Sequence, residues 1–232
     1  MGSDPIISSP PLVSVIVRTV GRDTLPRTLE CIGRQTWRPI EAVVVRAREV
    51  ALPALEAPIP VRLVGGGTLD RPRAANAGLE AARGEWMLFL DEDDLVEADH
   101  VETLLAAARA ARSRVAYSQT RLVDPNGATS RIFGGPFHRE LLQRSNYLSI
   151  HAVLFHRAFV DEGLRFDESF ATFEDWDFWL QLAQRGDFTF VPKPGAIYHA
   201  ARGASGAGAG ANLDREALLA QRDRLMRKWG IT

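Results

Sequence analysis

Short apolar runs separated by turn residues dominate the first half of the chain. Their length and β-branched content are typical of strands buried on both faces of a parallel sheet. The four runs are Leu12–Val17, Ile40–Val45, Val61–Val64 and Trp86–Leu90. Helical spacing of apolar residues is found at 25–32, 73–82 and 97–112. This alternation of strands and helices predicts an α/β fold with a mainly parallel, doubly wound sheet.

The second half of the chain has a different pattern. Val115–Val123 alternates as a strand does, and the turn residues at 124–127 favour an antiparallel return over 131–133. Another apolar run lies at 150–155. An aromatic helix is predicted at 174–184, and two short strands are predicted at 188–191 and 196–199. We therefore expect a smaller antiparallel region beside the parallel sheet.

These patterns divide the chain into four segments. Residues 12–200 are predicted to form one domain, with halves at 12–114 and 115–200. Residues 1–11 are expected to be a disordered lead-in, and 201–212, rich in Gly and Ala, a flexible linker. A charged C-terminal helix is predicted at 213–232. Its mixed charges favour packing on the domain, with homodimerisation or peripheral membrane contact as alternatives.

Composition excludes several classes of protein. The 232 residues carry a formal net charge of −1, which gives no support for nucleic-acid binding. There is no apolar run of about twenty residues that would predict a transmembrane helix, and the first residues lack the pattern of a signal peptide. The single cysteine, Cys31, excludes an intrachain disulfide framework and has the spacing of a buried structural thiol. We therefore predict a cytoplasmic protein, with contact at the inner face of the membrane as an alternative.

One apolar run ends abruptly at four carboxylates. Residues 86–90 are followed by Asp91, Glu92, Asp93 and Asp94. Adjacent like charges repel one another, and a divalent cation with oxygen ligands is the usual compensation. Asp91 and Asp93 point the same way along an extended segment, so both can reach one cation. Glu92 is then a spacer and Asp94 a candidate cap for the next helix, while a solvated acidic turn is the alternative for the whole cluster.

A second acidic group lies in the aromatic helix predicted at 174–184. Asp175 shares a side of this helix with Trp179 and Leu182. Bulky neighbours remove water from a carboxylate and raise its pKa, which suits a general base that takes a proton from a hydroxyl group. For Glu174, a negative charge favoured by the helix macrodipole is an equally good explanation.

A lone histidine, His199, follows the last predicted strand. Such a residue is more often a surface residue or a satisfied core residue than a ligand. If it does bind a metal, its imidazole favours manganese over magnesium.

Four segments, in order along the chain, carry the motifs of one enzyme family. They are the opening strand and turn at 13–22, the helix and turn at 73–86, the D-x-D sequence Asp91–Asp93, and the acidic segment at 166–177. Together they resemble glycosyltransferase family 2, the inverting class with a GT-A fold, over about residues 12–199. The resemblance implies a nucleotide-binding first half and an acceptor-binding second half.

The resemblance assigns the donor site residue by residue. Asp93, with help from Asp91, would bind the Mn²⁺ or Mg²⁺ that bridges the donor's diphosphate. His199 matches a position that often completes this metal site. Thr19, Arg73 and Asp91 fall where family members contact the nucleotide sugar.

The resemblance also implies the reaction. Asp175 would deprotonate the acceptor hydroxyl, and Glu174 would orient the acceptor or support the helix. The hydroxyl then attacks the anomeric carbon with inversion. The favoured donor is a UDP-sugar, and the acceptor is a hydroxyl group of a glycan, a lipid-linked molecule or a small molecule.

Two positions depart from the family pattern and leave the nucleotide base open. Val20 stands where the family commonly has an aromatic residue, and the sequence at 46–48 is Arg-Ala-Arg where an acidic turn is usual. A non-catalytic sugar- or nucleotide-binding module is therefore an alternative function. A sugar-nucleotide nucleotidyltransferase is another, although the turn at 18–22 is short and poor in glycine for a triphosphate loop.

Overall fold

The computed structural model describes residues 9–124, 126–199 and 214–231. Within them, nine strands form one sheet. The strands are β1 (Val13–Thr19), β2 (Ile40–Arg46), β3 (Val61–Val64), β4 (Trp86–Phe89), β5 (Leu95–Val96), β6 (Val115–Val123), β7 (Thr129–Phe133), β8 (Val153–His156) and β9 (Thr189–His199). The helices are α1 (Leu25–Gly33), α2 (Arg71–Ala81), α3 (His100–Ala111), α4 (Arg139–Arg144), α5 (Ala158–Asp161), α6 (Glu174–Ala183) and α7 (Arg215–Trp229).

The sheet has a parallel half and a mixed half. Its strand order is β3-β2-β1-β4-β8-β6-β9-β5, and β7 pairs with β6 outside this path. β1 pairs in parallel with β2 and β4, and β2 pairs in parallel with β3. β8 runs antiparallel to its neighbours β4 and β6, while β6 and β9 are parallel. The carboxyl ends of β1, β2 and β4 therefore meet at one edge of the sheet, which is where ligands bind in open α/β sheets.

The continuous apolar runs of the first half reflect burial on both faces of the sheet. In β2, Val43 and Val45 belong to a core that includes residues of α2 and α6. Val44, between them, belongs to a second core with residues of α1 and α3. Because helices cover both faces, neither face of β2 needs polar residues.

The second half differs in detail from the sequence prediction. The two short strands predicted at 188–191 and 196–199 are one strand, β9, whose pairing with β6 is irregular near Pro194. Proline has no N–H to donate, so the ladder is interrupted there without ending the strand. The helix predicted to begin at 97 begins at His100, because residues 95–96 pair with β9 as β5.

The helix α7 packs on the domain, as its mixed charges predict. Leu225 is fully buried in the same core as α6, and Gly230 ends the helix in the left-handed conformation. The lead-in predicted at 1–11, apart from residues 9–11, and the linker predicted at 201–212 lie outside the described residues. Among the residues that are described, no helix combines the length and apolar character needed to cross a membrane.

Candidate active site

The acidic cluster lies at the carboxyl end of β4 and alternates in burial. Asp91 and Asp93 are partly exposed, whereas Glu92 and Asp94 are buried. The segment is not the extended one that was expected, because Glu92 and Asp93 lie in a turn in which the N–H of Asp94 donates to the carbonyl oxygen of Asp91 at 3.1 Å. The turn leaves both Asp91 and Asp93 partly exposed, and we call this part of the cluster its open side.

Asp91 is held by an arginine from the neighbouring strand. Arg18, near the end of β1, donates from Nε to Oδ1 of Asp91 at 2.7 Å and from Nη2 to Oδ2 at 2.6 Å. Burial alone would raise the pKa of Asp91, but the charges of Arg18 and then Arg71 lower it below the usual value. Asp91 is thus kept ionised by a two-point contact, the strong form of an arginine–carboxylate pair.

Glu92 is more than a spacer. Its carboxylate accepts hydrogen bonds from the hydroxyl of Thr19 and, at 2.9 Å each, from the backbone N–H groups of Val20 and Arg22. Thr19, the predicted nucleotide contact, is itself buried, and its Oγ1 accepts from the N–H of Gly21 at 2.9 Å. The Thr19 hydroxyl is therefore directed at Glu92, and Glu92 holds the turn that follows β1.

Asp93 is the carboxylate of the open side that carries a raised pKa. Burial and then the negative charge of Asp91 raise the pKa of Asp93, although Nη1 of Arg22 lies 2.7 Å from its Oδ2. A carboxylate that is destabilised by its neighbours in this way gains from a bound cation. The donor set of the open side, Asp93 with Asp91, is all oxygen and suits Mg²⁺ or Mn²⁺.

Asp94 was a candidate cap for the next helix, and the structure shows that it does not cap it. α3 is preceded by Asp99, and Asp94 instead points into the interior, where its Oδ2 lies 3.4 Å from Nδ1 of His151. Its Oδ1 accepts from the backbone N–H of His199 at 3.3 Å. Burial, and then Asp93, raise the pKa of Asp94 well above the usual value, which indicates a structural rather than a ligand role.

The predicted metal ligands are only partly assembled by the chain itself. Asp91 and Asp93 are together, and His199 approaches the cluster through its backbone contact with Asp94. Within the described ranges, no group of three or more His, Cys, Asp or Glu side chains is arranged to hold a metal ion. Mg²⁺ in nucleotide sites is commonly held by one or two carboxylates together with phosphates and water, so the residues present fit such an ion.

Two arginines lie near the start of α2, and Arg71, which faces the acidic cluster, was not among the predicted site residues. Arg73, the predicted nucleotide contact, pairs at the surface with Asp70 at 2.5 Å and Glu168 at 3.1 Å. Arg71, the first residue of α2, instead places Nη1 4.0 Å from Oε1 of Glu174. Side chains in the first turn of a helix point back past its N-terminus, which is how Arg71 reaches this edge of the sheet.

The N-terminus of α6 presents Asp175 to the same region. Its Oδ1 accepts from the N–H of Trp176 at 2.7 Å, and its Oδ2 accepts from Nδ2 of Asn146 at 3.2 Å. Burial and then the charge of Glu174 raise the pKa of Asp175 to about 7. Asp175 remains partly exposed, so it is a carboxylate that can exchange a proton near neutral pH at an accessible site.

The neighbouring acids of α6 are buried and paired with cations. Glu174 accepts from Nη1 of Arg18 at 3.2 Å. Asp177, which is fully buried, lies 2.8 Å from Nζ of Lys228 and accepts from Nε1 of Trp229 at 2.9 Å. The sequence offered no signal for either partner, because both come from elements distant along the chain. The hydrogen bonds of Asp177 anchor α7 on the helix that carries Asp175.

Comparison with known proteins shows the family of the chain. A family described as glycosyl transferase family 2 matches residues 14–164. The chain belongs to this family. A relative, the succinoglycan biosynthesis protein ExoO of Rhizobium meliloti, is 34% identical over 224 residues, which are 86% of this chain and 64% of ExoO. The predicted family is confirmed, and the chain spans less than two thirds of this relative's length.

Solved structures confirm the fold. Staphylococcus aureus TarS 1–349 in complex with UDP-GlcNAc superposes with a TM-score of 0.67 at 18% identity, over 82% of this chain and 59% of TarS. The mannosyltransferase PcManGT of Pyrobaculum calidifontis, in complex with GDP-Man and Mn²⁺, superposes with a TM-score of 0.60 at 17% identity, over 84% and 58% of the two chains. The α/β fold of GT-A type that the sequence predicts is therefore the observed fold.

Proposed function

We propose that this family 2 chain is a metal-dependent, inverting glycosyltransferase that moves a sugar from a nucleoside diphosphate sugar to a hydroxyl group. The observation that carries the proposal is the meeting of two acidic groups at one edge of the sheet. Asp91 and Asp93 supply partly exposed oxygens, and Asp175 supplies a partly exposed carboxylate whose pKa is raised to about 7. Arg18 contacts both groups.

The donor side rests on Asp93. Together with Asp91, it would hold Mn²⁺ or Mg²⁺ against the donor's diphosphate. When bound, such an ion supplies positive charge that stabilises the leaving nucleoside diphosphate. TarS and PcManGT were solved in complex with UDP-GlcNAc and GDP-Man, which supports a nucleotide sugar here and leaves a UDP-sugar as the first donor to test. His199 would adjoin this site.

The acceptor side rests on Asp175. Its carboxylate takes the proton of the acceptor hydroxyl while that oxygen attacks the anomeric carbon from the face opposite the leaving group. Glu174 is buried on Arg18, so its role is to support the helix and to raise the pKa of Asp175. A glycan acceptor fits the polysaccharide biosynthesis named for the relative ExoO.

A donor screen tests the proposal without knowledge of the acceptor. UDP-, GDP- and dTDP-sugars are incubated with the protein, with and without Mn²⁺, and release of the nucleoside diphosphate is measured. We expect slow, metal-dependent hydrolysis of at least one donor. If none of the three diphosphates binds with metal, as measured by calorimetry, the non-catalytic alternative replaces this proposal.

A further inference from the structure

One arginine side chain connects the two acidic groups of the site. The guanidinium of Arg18 uses Nε and Nη2 on Asp91 and Nη1 on Glu174, at 2.7, 2.6 and 3.2 Å. The side chain is 9% exposed, and its Cζ lies 5.9 Å from the centre of the Phe89 ring. The planar group is thus fixed in position by two carboxylates and one aromatic ring.

The contacts of Arg18 distinguish the two carboxylates of the open side. Both oxygens of Asp91 accept from Arg18, whose positive charge offsets the charge of Asp91. Asp93 is paired with Arg22, whose side chain is more exposed than that of Arg18 and whose charge is therefore better screened by solvent. A cation at this edge is consequently attracted less by Asp91, whose negative charge is offset by Arg18, than by Asp93, whose charge is offset less.

We infer that Arg18 is a positioning residue that acts as the counter-ion of Asp91. The donor cation is then held chiefly by Asp93. The same guanidinium also connects Glu174, and with it the helix α6 that carries Asp175, to β1 and to the end of β4. The inference rests on the proposed function and adds that Asp91 and Asp93 have different roles in the site. Arg18 acts through Asp91 and Glu174 and has no role in bond making or breaking.

Geometry explains why a lysine would not replace Arg18 at this position. A lysine ammonium is a compact charge on a flexible chain and cannot form the two-point contact with Asp91 while also reaching Glu174. Removal of Arg18 leaves Asp91 free to bind a cation, so the affinity for the bare metal should rise. It also leaves Glu174 without its partner on β1, so the position of Asp175 should become less well defined.

The test measures metal binding and turnover separately in Arg18→Met and Arg18→Lys. We expect Arg18→Met to bind Mn²⁺ in the absence of nucleotide about tenfold or more tightly than the unmodified protein, since the site gains roughly one negative charge a few ångströms from the ion. Donor hydrolysis at saturating Mn²⁺ should fall at least about tenfold in kcat, and Arg18→Lys should recover it only in part. Arg114→Met, which removes an arginine paired with Glu162 far along the chain from either motif, is the matched control and should change neither quantity.

A double-variant cycle shows whether the effect passes through Asp91. In an Asp91→Asn background, the further change Arg18→Met should raise Mn²⁺ affinity much less than it does in the unmodified protein, because Asp91 then offers no carboxylate to be released. Equal or weaker Mn²⁺ binding by Arg18→Met, or unaltered kcat, overturns the inference. If Arg18→Met does not fold, Arg18→Gln, which keeps hydrogen-bond donors without the charge, is measured in its place with the same expectations. If the unmodified protein hydrolyses no donor, the proposed function fails, while the Mn²⁺ comparison still decides the role of Arg18.

Discussion

The acidic group at the end of β4 and the acidic group at the start of α6 have similar composition and different partners. At the end of β4, Asp91 and Asp93 face arginines of the β1 strand and turn. On α6, Glu174 and Asp177 are buried on Arg18 and Lys228, whereas Asp175 accepts hydrogen bonds from the neutral donors Trp176 and Asn146. The group on β4 therefore includes a carboxylate, Asp91, that Arg18 keeps ionised, whereas the group on α6 includes one, Asp175, that can hold a proton.

The comparison shows that neighbours, rather than residue type, assign the role of an aspartate. Asp94 and Asp175 both have a raised pKa. Asp94 is buried against His151, whereas Asp175 is partly exposed and accepts one hydrogen bond from Asn146. Access to the open side thus separates a structural acid from a candidate base.

The largest expected effect is on turnover when the base is removed. Asp175→Asn keeps the shape of the side chain and loses its basicity, so kcat for transfer should fall by about 10²–10⁴-fold. Nucleoside diphosphate binding in the presence of Mn²⁺, measured by calorimetry, should be unchanged. Asp161→Asn, at an exposed aspartate of α5, is the control. Unaltered turnover of Asp175→Asn would remove the distinction between the two acidic groups.

A smaller effect should separate the acids at the end of β4. Asp93→Asn should weaken Mn²⁺-dependent diphosphate binding about tenfold to a hundredfold, because it removes the main oxygen ligand of the proposed ion. Glu92→Gln removes a charge from the buried contact with the turn after β1 and should lower stability more than metal affinity. Calorimetry with and without Mn²⁺, together with thermal unfolding, measures both. The reverse order of effects would show that Glu92 is the ligand.

The pH dependence should follow Asp175. The base must be ionised, so kcat/KM should rise about tenfold per pH unit up to about pH 7 and level off above it. The pKa of Asp175 in the folded protein lies above the unfolded value of about 3.9. Protonation of Asp175 therefore stabilises the fold fully below about pH 3.9, and this stabilisation is lost as the pH rises through about 7. Asp175→Asn should therefore raise the unfolding temperature at pH 8 and change it little at pH 4. A profile that is flat between pH 5 and 8 contradicts the assignment.

The smallest expected effect concerns the anchor of α7. Lys228→Met leaves Asp177 buried with only neutral donors, Trp229 and Gln181. Because about a third of Lys228 is exposed, the cost should be about 1–3 kcal/mol of unfolding free energy, less than for a fully buried pair. Arg34→Met, which breaks an exposed pair on α1, should cost less than about 0.5 kcal/mol. Chemical denaturation measures both, and equal losses would show that α7 contributes no more than a surface pair.

Some of the strands follow closely from the sequence, whereas the conformation of the acidic cluster does not. The predicted strands Val61–Val64 and Val115–Val123 have the observed bounds, because apolar runs and their turn residues are local signals. The two-residue period of an extended segment does not explain the partial exposure of Asp91 and Asp93, because Glu92 and Asp93 lie in a turn. Predictions that needed a distant partner fared less well: Asp94 was expected to cap a helix, and its side chain instead faces His151 on another element.

Sequence patterns were enough to predict the family, most of the strands and helices, and the residues of the two acidic groups. Tertiary structure decided which cation each carboxylate meets, because those cations come from β1, α2 and α7, far away along the chain. Charge interactions depend on distance and burial, which are set by the packing of elements that no local pattern relates. The proposed division between ion-binding acids and a proton-accepting acid therefore depends on the folded chain.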